Sequence, residues 1–292
     1  MTNNPNTAGE YASLIFKRLF GRTGTYVMPQ TSVVVRPVGM IVEDLVTLSD
    51  MEWANYAISN EPLEGRFDSD LRNELFRKAF DCGQEMAENI ASKYGRRDPK
   101  EIAKAAGLTV KYPFQPQNAG RVLFAEFFLP DEIRVYQDAI DKAKWRFEEP
   151  GVTEALGEIR LENLLIAHEL FHYFEEEQKN EIWTRTYRFD MKVFGFLKNS
   201  ARVVTLSEIA AMGFCKRLNK LPYAPYVMDA FLVYGYNAEH ASRLYQSMMT
   251  KAGRVPRVPG NTETDPESDA EKDARKLIQK QADSKPQSGE NQ

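Results

Sequence analysis

His168 and His172 stand four residues apart in the run Ala167-His168-Glu169-Leu170-Phe171-His172, and they are two of the three histidines in the chain. On an α-helix, positions i and i+4 share one face a turn apart, so both imidazoles can reach one metal ion. Glu169 follows the first histidine and is turned by about 100° around the helix axis. That puts its carboxylate beside a metal rather than on it, where a general base for an activated water belongs. The chemistry implied is hydrolysis by such a water, with Zn²⁺ as the cation. Two unrelated histidines on a helix would be the plain alternative. Leu161, Leu164, Leu165, Leu170, Phe171 and Phe174 argue against it, because they make this helix mostly buried, and burying two imidazoles without a partner costs free energy.

Catalytic zinc takes three protein ligands and keeps a fourth position for water. The acidic run Glu175-Glu176-Glu177 is close in sequence, but Glu175 lies about 10 Å beyond His168 along a helix axis. That run is expected to be the solvated end of the helix. Glu208 is the better candidate, 36 residues after His172 and in the first turn of a helix of its own. Ala211, Phe214 and Cys215 would form the packed face of that helix, and Ala210, Ala211 and Gly213 would let it approach a neighbour closely. Spacing alone leaves open that Glu208 merely favours the helix dipole. His240, in Asn237-Ala238-Glu239-His240-Ala241, is a further candidate, as a ligand or as a donor to a reacting carbonyl. An ordinary helix-surface histidine is the plain reading there.

These side chains need helices to hold them. Leu71, Leu75, Ala79, Cys82, Met86, Ile90 and Tyr94 recur at helical spacing from Asp68, and Gly95 ends the run. Asp98-Pro99 opens a short helix that Gly107 closes. Leu108–Tyr112, Val122–Phe128 and Ile133–Tyr136 read as strands, the last following the turn-like Pro130-Asp131. Gln137 to Gly157 is a charged excursion before the histidine helix. Trp183–Leu197, Leu206–Leu218 and Asn237–Thr250 are expected to be helical, with Pro222 barring a long continuation of the second. Thr31–Arg36 is β-branched.

With 292 residues, 42% hydrophobic and 11% aromatic, the chain is long enough for a sizeable core. A net charge of −4 gives no general pull toward nucleic acid, so no direct nucleic-acid binding is expected. A short amphipathic piece, Tyr11–Phe20, carries Lys17 and Arg18, with Arg22 just beyond; a solvated helix face is the ordinary reading. The N-terminus lacks the pattern of a signal peptide, and no apolar run approaches the roughly 20 residues that span a bilayer. Cys82 and Cys215 do not form a metal-ligand spacing and are expected to be reduced thiols, consistent with a cytoplasmic protein away from membranes. From Lys251 onward there is no Phe, Trp or Tyr, and the composition is that of a disordered tail.

Taken together, Ala167–His172 and Glu208, Ala211, Phe214 and Cys215 resemble the ImmA/IrrE family of zinc metallopeptidases, of the gluzincin type. The order of elements is similar too: a long helix, a short helix ending in Gly107-Leu108-Thr109-Val110, a small sheet, the histidine helix, the glutamate helix. Phe171, where a small residue is usual, and Met212, where Asn is frequent, depart from the pattern. The resemblance spans about residues 69–220. It implies an α+β, mostly helical zincin-like domain with a small antiparallel sheet packed on the active-site helix. It also strengthens Glu208 as the third ligand beside His168 and His172, with Glu169 as the base. Residues 1–66 would then be an N-terminal extension, 67–250 the metallopeptidase-like domain, and 251–292 the tail. The implied activity is zinc-dependent endopeptidase action on a peptide or protein, and some members cleave a helix-turn-helix repressor. If Ile133–Tyr136 lay at the sheet edge, it would hold an extended substrate by strand addition. A competing expectation is a non-catalytic, metal-stabilised interaction protein of a toxin–antitoxin or mobile-element pair. Intact Glu169 and the scarcity of Cys and His speak against that. A zinc hydrolase of small molecules, with a narrow closed pocket, is the third.

Overall fold

The computed structural model describes residues 33–114, 123–193 and 197–260. The amphipathic piece Tyr11–Phe20, the start of the β-branched run at Thr31 and the tail beyond 260 lie outside the described residues. The architecture is mostly helical with a small sheet, an α+β arrangement, and among the described residues no helix is long and apolar enough to cross a membrane.

The chain enters through α1 (Val38–Val46) and α2 (Ala54–Ile58), joined by a turn around Trp53. Val38, Ile41, Val42, Leu45 and Trp53 are fully buried in the same core as the later elements. The boundary expected at residue 66 therefore falls inside one packed body. Then comes α3 (Ser69–Tyr94), the longest helix. Asp68 caps it by accepting the Leu71 N–H at 2.8 Å, and Gly95 ends it in the left-handed region at φ 65°. In α4 (Pro99–Ala105), Asp98 again accepts the first-turn N–H groups and Pro99 supplies the fixed φ.

Three strands follow: β1 (Thr109–Lys111), β2 (Ala125–Phe128) and β3 (Glu132–Val135), in the order β1-β3-β2. The sheet is mixed, not antiparallel as expected. β2 and β3 form a hairpin, whereas β1 runs parallel to β3 with Thr109 opposite Glu132. The Thr109 N–H donates to the Asp131 carbonyl at 2.8 Å and locks β1 onto the free side of the hairpin. β3 is consequently the central strand, so the strand expected to offer an edge to substrate offers none. Phe127, buried on β2, meets Tyr173 edge-on at 5.7 Å and ties the sheet to the histidine helix.

The excursion coils into α5 (Gln137–Lys144) and α6 (Val152–Leu156) before α7 (Leu161–Glu177). Buried residues occur all around α7, as its apolar content predicts. Beyond it, α8 (Trp183–Thr186) is one turn only, and the helix expected through Leu197 is instead a hairpin of β4 (Phe189–Val193) and β5 (Leu197–Ala201). Tyr187, Phe189 and Met191 are half-buried while Arg188 and Asp190 are exposed, a period of two that belongs to a strand.

α9 (Thr205–Leu218) packs against α3 more extensively than any other helix pair among the described residues. Two glycines make this possible. A Cβ at Gly83 would stand 1.8 Å from the Ala210 carbonyl oxygen, and one at Gly213 would stand 2.2 Å from that of Phe80. Each backbone thus occupies the space of the other's missing side chain. α10 (Val227–Tyr234) was not foreseen: apolar on nearly every side and preceded by Pro222 and Pro225, it has no amphipathic period to betray it. The last helix, α11 (Ala238–Lys251), is capped by Asn237. Order continues past the expected start of the tail, since Lys251 donates to Ser59 Oγ at 2.6 Å and Arg254 to Glu52 at 2.6 Å.

Candidate metal centre

α7 and α9 meet at their polar faces. The Nε2 atoms of His168 and His172 are 3.2 Å apart. Glu208, reaching across from the first turn of α9, sets Oε2 at 3.2 Å from His168 Nε2 and Oε1 at 3.5 Å from His172 Nε2. These are the three residues among those described that could jointly hold a metal ion. With metal–ligand bonds of about 2.0–2.2 Å, the ligand atoms of a tetrahedral zinc lie roughly 3.3–3.6 Å apart along each edge. The observed separations of 3.2–3.5 Å, with one carboxylate oxygen facing each imidazole, are close to that spacing, and the donor set, two imidazoles and a carboxylate, is one that zinc takes.

The same closeness sets the electrostatics. Burial raises the Glu208 carboxyl, but the charges of His172 and His168 outweigh it and hold the group down at about 2. Burial likewise lowers the His172 imidazole, yet Glu208 and a contact with Glu175 push it up to about 9. Each group thus favours the charged form of the other. Glu169 lies beside this triangle and is buried; burial lifts its carboxyl above the ordinary range, against the pull of His168 and His172.

His172 is backed by a polar chain centred on Glu175, which was expected at a solvated helix end. Glu175 is 0% exposed, not part of a solvated helix end. Ser207 Oγ donates to Glu175 Oε2 at 2.7 Å and lies 3.3 Å from His172 Nδ1. Thr184 donates to the other carboxylate oxygen at 2.6 Å, and the Arg185 guanidinium lies 3.0 Å away. Glu175 is i+3 from His172 and i+7 from His168, hence on their face, which was the signal available. It stands behind the ring rather than among the ligands. Glu176 pairs with Arg185 at 2.9 Å and only Glu177 is exposed.

Glu208 is itself held from several directions. Phe171 and Phe214, both fully buried with rings 5.9 Å apart, pin α7 to α9. Glu61, from the chain before α3, accepts the Thr205 N–H at 3.1 Å and so caps α9. The N-terminal segment thus supports the candidate ligand.

In front of His168 the surroundings are apolar. A cavity of about 80 Å³ opens there, lined by Leu164, Leu165, Met212, Met228 and Leu232 together with His168 and Glu169. Asp229 is in its wall; burial pushes this carboxyl up to about 7, and it accepts a hydrogen bond from the Tyr56 hydroxyl at 3.0 Å. The Tyr226 hydroxyl, within electrostatic reach of Asp229 and Glu208, is buried with no hydrogen-bond partner. Neither residue was singled out by sequence, because both belong to the unforeseen stretch around α10. His240 is exposed on the first turn of α11, where its N–H donates to Asn237. It belongs neither to the triangle nor to the cavity lining. Cys82 and Cys215 are free thiols. No family model, no curated protein and no solved structure matches the chain.

Proposed function

We propose that the protein is a zinc-dependent endopeptidase with a zincin-like core, of the ImmA/IrrE kind that the motif residues resemble. The observation that carries this reading is the convergence of His168, His172 and Glu208 at 3.2–3.5 Å, with a buried carboxylate, Glu169, alongside. Zinc bound by these three residues supplies Lewis acidity, polarising a carbonyl and bringing the pKa of a water toward about 7. Glu169 takes the proton of the attacking water as its oxygen bonds to the peptide carbon. The same carboxyl then gives that proton to the amine as the C–N bond breaks. Burial suits Glu169 to this exchange, because it narrows the gap between its carboxyl and the groups it serves.

β2 pairs with β3 on one side only among the described residues, and Ala125 on β2 lines the cavity beside His168. An extended peptide would add to that edge of the sheet, where β3 cannot accept it. A protein or peptide substrate, such as a repressor, fits this better than a small molecule.

Zinc content after titration of the purified protein, followed by cleavage of an unstructured peptide library, tests the reading. One zinc per chain and cleavage that disappears in Glu169→Gln, with zinc retained, are expected. A protein that takes up no zinc, or a Glu169→Gln variant as active as the parent, would overturn it.

A further inference from the structure

We propose that the cavity in front of His168 is a side-chain pocket that selects substrates carrying an aliphatic residue of three or four side-chain carbons, Val, Leu, Ile or Met, next to the cleaved bond. This rests on the endopeptidase reading above. Because His168 and Glu169 form part of the lining, whatever fills the cavity sits within one residue of the reacting carbonyl. Its walls are the side chains of Leu164, Leu165, Met212, Met228 and Leu232, with Phe124 near β2.

Size sets the upper limit. A dry cavity of about 150 Å³ accommodates benzene, so the 80 Å³ here suits an aliphatic group and not an aromatic ring. Polarity sets the second limit. A charged side chain would lose its hydration against these walls without a free partner. Asp229, in the wall, is a poor partner for a cation, since burial pushes its carboxyl up to about 7 and so disfavours the charged form, and its Oδ2 accepts the Tyr56 hydroxyl at 3.0 Å. The pocket therefore discriminates by shape and dehydration, and the motif residues alone carry no such information.

Binding of hydroxamates to the zinc-loaded full-length protein, followed by calorimetry, tests the inference without relying on turnover. Zinc content is measured on each sample. Acetohydroxamate provides the baseline, against 4-methylpentanohydroxamate and 4-phenylbutanohydroxamate. Affinity is expected to rise about fourfold for each of the four added carbons, about 250-fold in all, with no further gain for the phenyl compound. Leu165→Phe and Met212→Phe, which fill the cavity, should bring that ratio to within a few-fold of one, while Met212→Leu should keep it. Equal affinity across the series in zinc-loaded protein overturns the inference and leaves the metal reading intact. Selectivity that survives both filling variants overturns the placement of the pocket. Protein that binds no zinc defeats the endopeptidase reading, and the inference with it.

Discussion

His172 and His168 are one turn apart on α7, yet their surroundings are opposite in kind. Behind His172, whose side chain is 5% exposed, Ser207, Glu175, Thr184 and Arg185 form a closed polar chain. Before His168, 19% exposed, the neighbours are leucines and methionines around open space. The polar flank holds a ring in place, as partners behind a metal-bound histidine do. The apolar flank leaves room for another molecule. One helix face thus separates holding from admitting, and substitutions on the two flanks should fail in different ways.

The largest effect is expected where both flanks meet. Glu208→Ala removes one of three candidate ligands. Spreading about 10–16 kcal/mol of zinc binding over four ligands gives roughly 2.5–4 kcal/mol each. Zinc affinity, read by competition with a chelator, should therefore fall on the order of several hundred-fold. On the polar flank, Glu175→Ala should weaken zinc binding by about 10- to 100-fold. It also leaves the Arg185 guanidinium, 10% exposed, with Glu176 alone. A stability loss of about 1–3 kcal/mol in urea denaturation is expected, because the Thr184 and Ser207 hydroxyls lose their buried acceptor. On the apolar flank, Leu165→Ala should cost about 1 kcal/mol of stability or less and leave zinc affinity unchanged. If Leu165→Ala disturbed metal binding as much as Glu175→Ala, the division between the flanks would not hold.

The smallest effect is a proton. In the metal-free protein His172 keeps its proton up to about pH 9, against an ordinary value of 6.5. Its contribution to stability is therefore complete below pH 6.5 and disappears as pH rises through about 9. Glu208, lowered from 4.5 to about 2, contributes above pH 4.5 and loses that contribution as pH falls toward 2. The metal-free cluster should favour folding most between pH 4.5 and 6.5. Zinc must displace the His172 proton, so binding at pH 7 should release about one proton from that ring, visible in calorimetry across buffers of different ionisation enthalpy. A buffer-independent heat would mean that His172 is already neutral.

The candidate ligands were legible because two histidines four residues apart mark one helix face, and the helices packed around them carry strong end signals. Asp68 and Gly95 bracket α3, Asp98-Pro99 opens α4, and the two histidines carry their own period. What supports the ligands was harder to read. Glu175 looked like one of three surface acids, and only the approach of α8 and α9 buries it. The β4–β5 hairpin was mistaken for helix because its apolar residues are few and its alternation short. α10, which lines the cavity with Met228 and Leu232, is apolar on every side but that of Asp229, and burial rather than periodicity defines it. Local pattern marks an amphipathic helix; it does not mark one that is wholly enclosed.

Gly83 and Gly213 donate nothing to any ion and touch no substrate, but the seat of α9 depends on two hydrogens being no larger than they are. A methyl group at either position would act as a wedge, forcing α9 off its seat on α3 and shifting the carboxylate-bearing rod relative to its imidazole counterparts. Genetic screens for inactive alleles should accordingly return glycine replacements on α3, a helix with no ligand of its own.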